Sequence, residues 1–203
     1  MSERKSNYDI QADTARELFT KWDQEHMIAR FCLEHDSDFL YIDFFSEKYK
    51  IDRRTGEVVL ADSGEPADFH AVMSIYDVLC YAKEGAEICG EWRALKNLSP
   101  HSNFGASGRS LHQREAEKLS GRLDELKLAC ENLGGKPETK ADAGYIFDAF
   151  TFMPVIFQFW EGDEEFPPSV NFLMDSNTMD FIRFETAWYV AGHLLRLINK
   201  NMQ

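Results

Sequence analysis

The sequence predicts an α+β fold, with a single domain over residues 1–203 of which residues 1–8 are expected to be frayed. Strand-like segments cluster towards the two ends of the chain, and helical periodicities lie before, between and after them. This order differs from the regular alternation of strands and helices that builds a parallel sheet. We therefore expect a mostly antiparallel sheet packed by about four to five helices.

Two helices are predicted near the N-terminus. The first covers residues 10–22 and would turn Leu18, Phe19 and Trp22 inward. Asp23 can cap a second, short helix, because its side chain can accept a hydrogen bond from a free backbone N–H of the first turn.

Strands are predicted wherever branched and aromatic residues dominate or alternate with polar ones. They cover residues 38–45, 48–52, 57–60, 145–150, 153–160 and 169–174. The first three follow one another with short turns between them, which indicates an antiparallel meander. The last two flank a short acidic loop, which indicates a hairpin near the C-terminus.

Further helices are predicted between and after the strands. Residues 67–84 are apolar nearly all round, so this helix should be buried on most sides, and Asp68 can cap it. Residues 90–107 are rich in Gly, Ser and Asn and are expected to be irregular. One amphipathic helix is predicted over residues 110–133, and a closing helix over residues 181–198 carries a single apolar stripe.

The chain carries a strong negative charge, −13 at pH 7. Because binding phosphates needs a basic face, we expect no nucleic-acid partner. The same excess of acidic residues disfavours docking on anionic membranes.

The cysteines and histidines form no recognisable metal motif. Cys32, Cys80, Cys89 and Cys130 are scattered without a C-x-x-C pair, so reduced thiols are expected. No histidine pair has the spacing of a zinc hydrolase, so no metal site is predicted, and no cofactor is indicated. His193 lies off the apolar stripe of the closing helix and is expected to be exposed. Without a signal peptide or a long apolar stretch, the protein is predicted to be cytoplasmic.

One polar stripe interrupts the apolar helix at residues 67–84. His70, Ser74, Asp77 and Tyr81 are spaced 4, 3 and 4 residues apart and therefore share a face. Side chains one turn apart on one helix do not form a Ser–His–Asp triad. The simpler interpretation is the solvent edge of the helix, and the alternative is a polar pocket wall with His70 and Asp77 as proton-active groups.

The irregular stretch that follows carries the candidate anion ligands Arg93 and Arg109. It leads into a predicted helix N-terminus, where free backbone N–H groups and Arg109 could hold a phosphate or a carboxylate. The stretch lacks the Gly-Lys-Ser/Thr ending of a P-loop, so an ordinary connector with solvated arginines is the alternative.

An acidic loop at residues 161–168 joins the last two strands beside Trp160. Its carboxylates, Asp163 and Glu164 among them, could bind a hard cation or a basic partner. The loop lacks the D-x-D-x-D spacing of an EF-hand, so solvated charge is the favoured interpretation. Phe166 is expected to anchor the loop in the core.

Three segments resemble a known family. Residues 160–177 contain the pattern W-x-G-D-E-E-F-P followed by L-M-D, residues 181–186 read F-I-R-F-E-T, and residues 90–95 read G-E-W-R-A-L. These segments are similar to a prokaryotic domain-of-unknown-function family numbered three-seven-eight-six, many of whose members come from anaerobes. The resemblance spans residues 17–195 and implies one domain. It implies no reaction and no substrate.

Together these features predict a binding module of cytosolic anaerobic metabolism without catalysis of its own. A groove between the loops at residues 92–109 and 160–168 would hold a small anionic ligand or a protein partner. Arg93 and Arg109 would meet the anionic group and Trp160 would stack on the ligand. Two alternatives are an enzyme that uses Asp163 or Glu164 as acid or base, and a structural protein that forms a homodimer through aromatic residues of the closing helix.

Overall fold

Helices and antiparallel sheets build the part of the chain described by our computed structural model, residues 6–98 and 112–202. This part contains six α-helices: α1 Asn7–Phe19, α2 Gln24–Phe31, α3 Phe69–Tyr81, α4 Gln113–Leu119, α5 Leu123–Asn132 and α6 Phe184–Asn201. The strands are β1 Glu34–His35, β2 Phe39–Phe44, β3 Glu47–Asp52, β4 Val58–Leu60, β5 Trp92–Ala94, β6 Lys136–Glu138, β7 Ala143–Phe150, β8 Met153–Trp160 and β9 Ser169–Asp175. The predicted α+β class is confirmed.

The strands form two sheets, and every pairing within the described residues is antiparallel. One sheet has the order β1-β2-β3-β4 and contains the predicted meander. The other has the order β5-β9-β8-β7-β6 and contains the predicted hairpin of β8 and β9. A hydrogen bond of 2.9 Å from the backbone N–H of Phe45 to the carbonyl of Ala149 joins the two sheets. One continuous core therefore extends across both sheets and the helices.

The two N-terminal helices follow the prediction except at Trp22. Asp23 caps α2 by accepting a hydrogen bond of 3.1 Å from the N–H of His26. Phe19 is fully buried, but α1 ends there, so Trp22 lies in the following turn and is 46% exposed. Its ring contacts the ring of Tyr81, 5.8 Å away, instead of entering the core.

Helix α3 is the central helix of the fold, buried along ten consecutive residues from Ala71 to Cys80. Asp68 caps it through the N–H of Ala71, as predicted. Helices α6 and α1 both pack against α3. The interpretation of its polar stripe as a solvent edge is wrong, because Ser74 and Asp77 are buried and Asp77 bonds to Arg183 at the start of α6.

The amphipathic helix predicted over residues 110–133 is two helices in the residues described, α4 and α5. The helical conformation is interrupted at Gly121, whose φ of +75° is a conformation that favours glycine. The carboxylate of Glu161 accepts hydrogen bonds from the N–H of Gly121 and the hydroxyl of Ser120. Glu161, 40 positions away in the sequence, thus stabilises the turn between α4 and α5. Helical periodicity alone cannot predict such a contact.

No helix among residues 6–98 and 112–202 is long and apolar enough to cross a membrane.

Candidate functional site

Arg93 and Trp160, two residues of the predicted groove, lie beside opposite ends of β9. Arg93 lies exposed on the edge strand β5, where it pairs in register with Met174. Trp160, half-buried at the end of β8, pairs with Ser169. Five steps along β9 at ~3.4 Å per residue place these ends about 17 Å apart. The fold does not bring Arg93 and Trp160 together, and Arg109 lies outside the described residues.

One carboxylate of the acidic loop, that of Asp163, holds the loop's own backbone. Asp163 accepts hydrogen bonds of 2.8 and 2.7 Å from the N–H groups of Glu165 and Phe166, and these bonds lower the pKa of its carboxyl group. This stabilised carboxylate is a poor proton donor. Glu164 is exposed. Phe166 is 66% exposed, so its predicted role as a core anchor is wrong.

Gly162 makes a backbone approach that a larger residue cannot. A Cβ atom at this position would lie 2.7 Å from Cδ and 2.8 Å from N of Pro168. We expect Gly162→Ala to lower the free energy of unfolding by about 2 kcal/mol, because the loop must move to relieve the overlap. Urea unfolding measures this loss, and Glu164→Ala in the same loop should stay within about 0.5 kcal/mol of wild type. Equal stability of both variants would contradict the close approach.

A cavity of about 400 Å³ lies between α1, α3 and α6. Its lining residues are Ile10, Gln11, Thr14, Ala15 and Leu18 from α1, Met73, Tyr76, Cys80 and Tyr81 from α3, and Arg183, Glu185, Thr186 and Tyr189 from the start of α6. Polar and apolar side chains share the wall, and the two charged ones, Arg183 and Glu185, lie at the first turn of α6. A concave site with a few charged groups at one place is a candidate small-molecule site.

Arg183 is fixed at the cavity by the buried carboxylate of Asp77. Its Nε–H donates to Oδ1 of Asp77 at 2.5 Å, and its backbone N–H donates to Oδ2 at 2.6 Å. The side chain of Asp77 is fully buried while that of Arg183 is 52% exposed. The guanidinium also lies over the ring of Tyr81, 4.4 Å from its centroid. Asp77 therefore positions a guanidinium whose two Nη groups make no hydrogen bond within the described residues.

The first turn of α6 adds further groups that could bind a ligand. The side chain of Arg183, the N-cap residue of this 18-residue helix, makes no capping hydrogen bond, and its backbone N–H donates to the carboxylate of Asp77. Thr186, 1% exposed, and Glu185 both line the cavity beside Arg183. The positive end of the helix dipole favours negative charge here. An anionic group bound at Arg183 would benefit from both the guanidinium and this dipole.

A family model described as "Domain of unknown function (DUF3786)" matches residues 23–197. The chain belongs to the DUF3786 family. The resemblance seen in the sequence is thereby confirmed. Comparisons with curated proteins and with solved structures gave no match. In this DUF3786 protein, Asp77, Arg183 and Glu185 lie within the matched residues, whereas α1 precedes them.

In the cavity of the DUF3786 protein, three titratable groups have pKa values that are raised further above neutral pH. Burial raises the pKa of the Tyr76 hydroxyl to about 12 and that of the Cys80 thiol to about 12. Burial also raises the pKa of Tyr189. These three groups therefore stay protonated at neutral pH and are poorly suited to act as bases or nucleophiles.

His70 contacts the cavity through Tyr189, a lining residue on which its ring stacks. Its imidazole stacks on Tyr189 at 5.6 Å, with the ring planes 15° apart. Burial lowers the pKa of His70, which favours the neutral ring. A Cβ atom on Gly192 would lie 2.9 Å from this ring, so glycine is needed there for close packing of α3 and α6.

A second polar cluster surrounds His193, whose predicted exposure is wrong. Its ring is fully buried, because the face of α6 beside the apolar stripe packs on β2 and β3. Nδ1 lies 3.1 Å from Oδ2 of Asp68, and Nε2 lies 3.7 Å from Oε2 of Glu47. Phe44 lies 4.7 Å from the imidazole, centroid to centroid. This enclosed histidine joins the N-terminus of α3 to the meander.

His193 and its neighbours favour the charged forms of both carboxyl groups. Burial opposes ionisation of Asp68, but its hydrogen bond with His193 and the nearby charges of His193 and Arg196 prevail and lower its pKa. The nearby imidazole of His193, 3.7 Å away, and the hydrogen bond from the Tyr49 hydroxyl likewise lower the pKa of Glu47. No group of three His, Cys, Asp or Glu residues arranged to hold a metal ion occurs among the residues described.

Sequence reasoning missed Arg183, although two signals pointed to it. A carboxylate inside an otherwise apolar helix needs a buried partner, so Asp77 required a cation or several donors. Arg183 also belongs to the segment at residues 181–186 that carried the family resemblance. Neither signal names the pairing, which joins residues 106 positions apart.

Proposed function

We propose that this DUF3786 protein is a small-molecule-binding module without catalysis of its own, and that its ligand carries a carboxylate or similar anionic group. The observation that carries the proposal is the guanidinium of Arg183, which Asp77 positions at the wall of the cavity of about 400 Å³. The sequence suggested an arginine site for an anion at Arg93 and Arg109. We retain a guanidinium as the group that binds the anion, and we assign this role to Arg183.

The geometry of Arg183 supports recognition of a carboxylate. A guanidinium has five N–H donors in one plane, and Asp77 uses the one on Nε. The N–H groups on the two Nη atoms can therefore donate hydrogen bonds to both oxygens of a carboxylate side by side. Because Asp77 and Tyr81 already restrict the side chain, a ligand would lose little binding energy in ordering it.

The apolar wall supports a ligand with a hydrocarbon or aromatic body. Leu18 from α1 and Met73 and Tyr76 from α3 line the cavity and carry no charge. Met73 is 7% exposed and Tyr76 2%, so both side chains are largely shielded from solvent. Burying an apolar group there would add about 25 cal/mol per Å² of apolar surface removed from water.

The two alternatives have less support. Asp163 is occupied by backbone donors and its pKa is lowered, which disfavours a role as catalytic acid. For dimerisation through α6, nine residues of this helix are buried within the chain itself, which leaves few apolar side chains to a second copy.

Isothermal titration calorimetry with a panel of small carboxylic acids tests the proposal. The panel contains straight, branched, aromatic and amino-substituted chains. We expect at least one member to bind wild type and Arg183→Lys to weaken it about tenfold or more, because lysine keeps the charge beside Asp77 but loses the planar pair of donors.

Arg93→Lys is the matched control, since it makes the same exchange at the arginine that the sequence favoured. We expect it to bind as wild type does. Binding that depends on Arg93 and not on Arg183 would return the site to the predicted groove. Failure of every acid to bind would overturn the binding module. Circular dichroism and a melting curve establish that each variant is folded at the titration temperature.

A further inference from the structure

We infer that the ligand of the cavity is a zwitterion of the amino-acid type, with a carboxylate at Arg183, an ammonium group at Glu185 and an apolar side chain between α1 and α3. This inference rests on the proposed function and narrows its ligand class. The observations that carry it are the charges around the cavity and the lack of a partner for Glu185 in the described part of the chain.

The charges near the cavity do not favour a simple anion. Arg183 is already paired with the buried carboxylate of Asp77, so this pair is neutral as a unit. Glu185 is the other charged residue in the described lining, and it leaves one negative charge in excess. A ligand with only a carboxylate would be attracted by the donors of Arg183 and repelled by Glu185. A ligand that also carries an ammonium group would satisfy both.

Glu185 is available for such a group. Its carboxylate makes no hydrogen bond and no ion pair within residues 6–98 and 112–202, and it is exposed at the cavity. It lies two residues after Arg183, and no ion pair joins the two side chains. Both side chains line the cavity, so a ligand there can meet both charges.

The rest of the lining fits the side chain of an apolar amino acid. The wall formed by Leu18, Met73 and Tyr76 carries no charge, whereas both charged side chains lie together on the first turn of α6. A molecule whose carboxylate and ammonium groups share one carbon places both charges at one end and its apolar part at the other. In the cavity, likewise, both charges come from one helix end, and the side chains that α1 and α3 contribute are uncharged.

Three sets of matched probes test the inference by calorimetry. They are leucine, methionine and phenylalanine, each compared with the acid that lacks the amino group and with the amine that lacks the carboxyl group. For leucine these are 4-methylpentanoate and 3-methylbutylamine. We expect at least one amino acid to bind about tenfold or more tightly than both of its analogues, because each analogue leaves one charge of the site unmatched.

Glu185→Gln should reduce the preference for the amino acid over its deaminated acid to less than about threefold, because the amide carries no charge to attract the ammonium group. Glu165→Gln is the matched control, an exposed glutamate of the acidic loop. It should leave the preference unchanged. A preference that survives in Glu185→Gln would overturn the role of Glu185.

The outcomes separate this inference from the proposed function. If deaminated acids bind as tightly as the amino acids and the binding still depends on Arg183, the zwitterion is wrong and the carboxylate-binding module stands. If none of the amino acids or acids binds, both are overturned.

Discussion

Replacing Arg183 by alanine is expected to lower the free energy of unfolding by about 3 kcal/mol, one of the two largest effects that the structure predicts. The reason is Asp77, whose side chain is fully buried. In the variant this carboxylate keeps the backbone N–H at position 183 but loses the guanidinium that neutralises it. A buried charge without its partner is far more destabilising than the absence of both charges.

Urea unfolding of a double-mutant cycle measures this effect. Asp77→Asn in the Arg183→Ala background should recover about 1–2 kcal/mol, because an amide has a smaller desolvation penalty than a carboxylate. Arg93→Ala is the control, and it should change stability by less than about 0.5 kcal/mol. If Asp77→Asn destabilises the Arg183→Ala variant further, the buried carboxylate does not need the guanidinium.

The second large effect is expected at His193, where alanine should destabilise the fold by about 3 kcal/mol at pH 7. The substitution leaves a cavity beside the ring of Phe44, in a region where the histidine is fully buried. It also removes the imidazole, which hydrogen-bonds Asp68, lies 3.7 Å from Glu47 and favours the charged forms of both carboxyl groups.

The same contacts predict how stability depends on pH. The pKa values of Asp68 and Glu47 are lower in the folded chain than the ordinary values of about 4 that unfolded carboxyl groups have. Their contribution is therefore complete above the unfolded pKa and is lost as the pH falls through the folded pKa. Urea unfolding between about pH 3 and pH 7 should show a steep loss in wild type and a shallower one in His193→Ala.

His35→Ala is the matched control for this series, since His35 is an exposed histidine on β1. It should retain the steep loss of stability on the acid side. An unchanged acid dependence in His193→Ala would show that the histidine does not hold the two carboxyl groups in their charged forms.

Local signals were sufficient for much of the fold. The run of aromatic and branched residues at β8 gave its bounds, and a carboxylate before an apolar run located the start of α3 at Asp68. Such features act within a few residues of the chain, where sequence and conformation are directly linked. The α+β class followed from their order along the chain.

The features that the sequence did not predict depend on distant partners. β1, β5 and β6 are two or three residues long, too short to show a period. His193 lies off the apolar stripe but is buried, because the neighbouring face of α6 meets the meander as well. The cavity required three helices to be placed together, and its key pair, Asp77 and Arg183, joins the middle of the chain to its last quarter.

The origin of the cavity wall has a consequence for how its selectivity can change. Arg183 and Glu185 lie within residues 23–197, which match the family model, but the face formed by α1 precedes them. Substitutions in α1 can therefore reshape the apolar side of the cavity without touching either charge. In this chain, therefore, both charged residues of the cavity lie inside the matched residues, and the α1 face of its wall lies outside them.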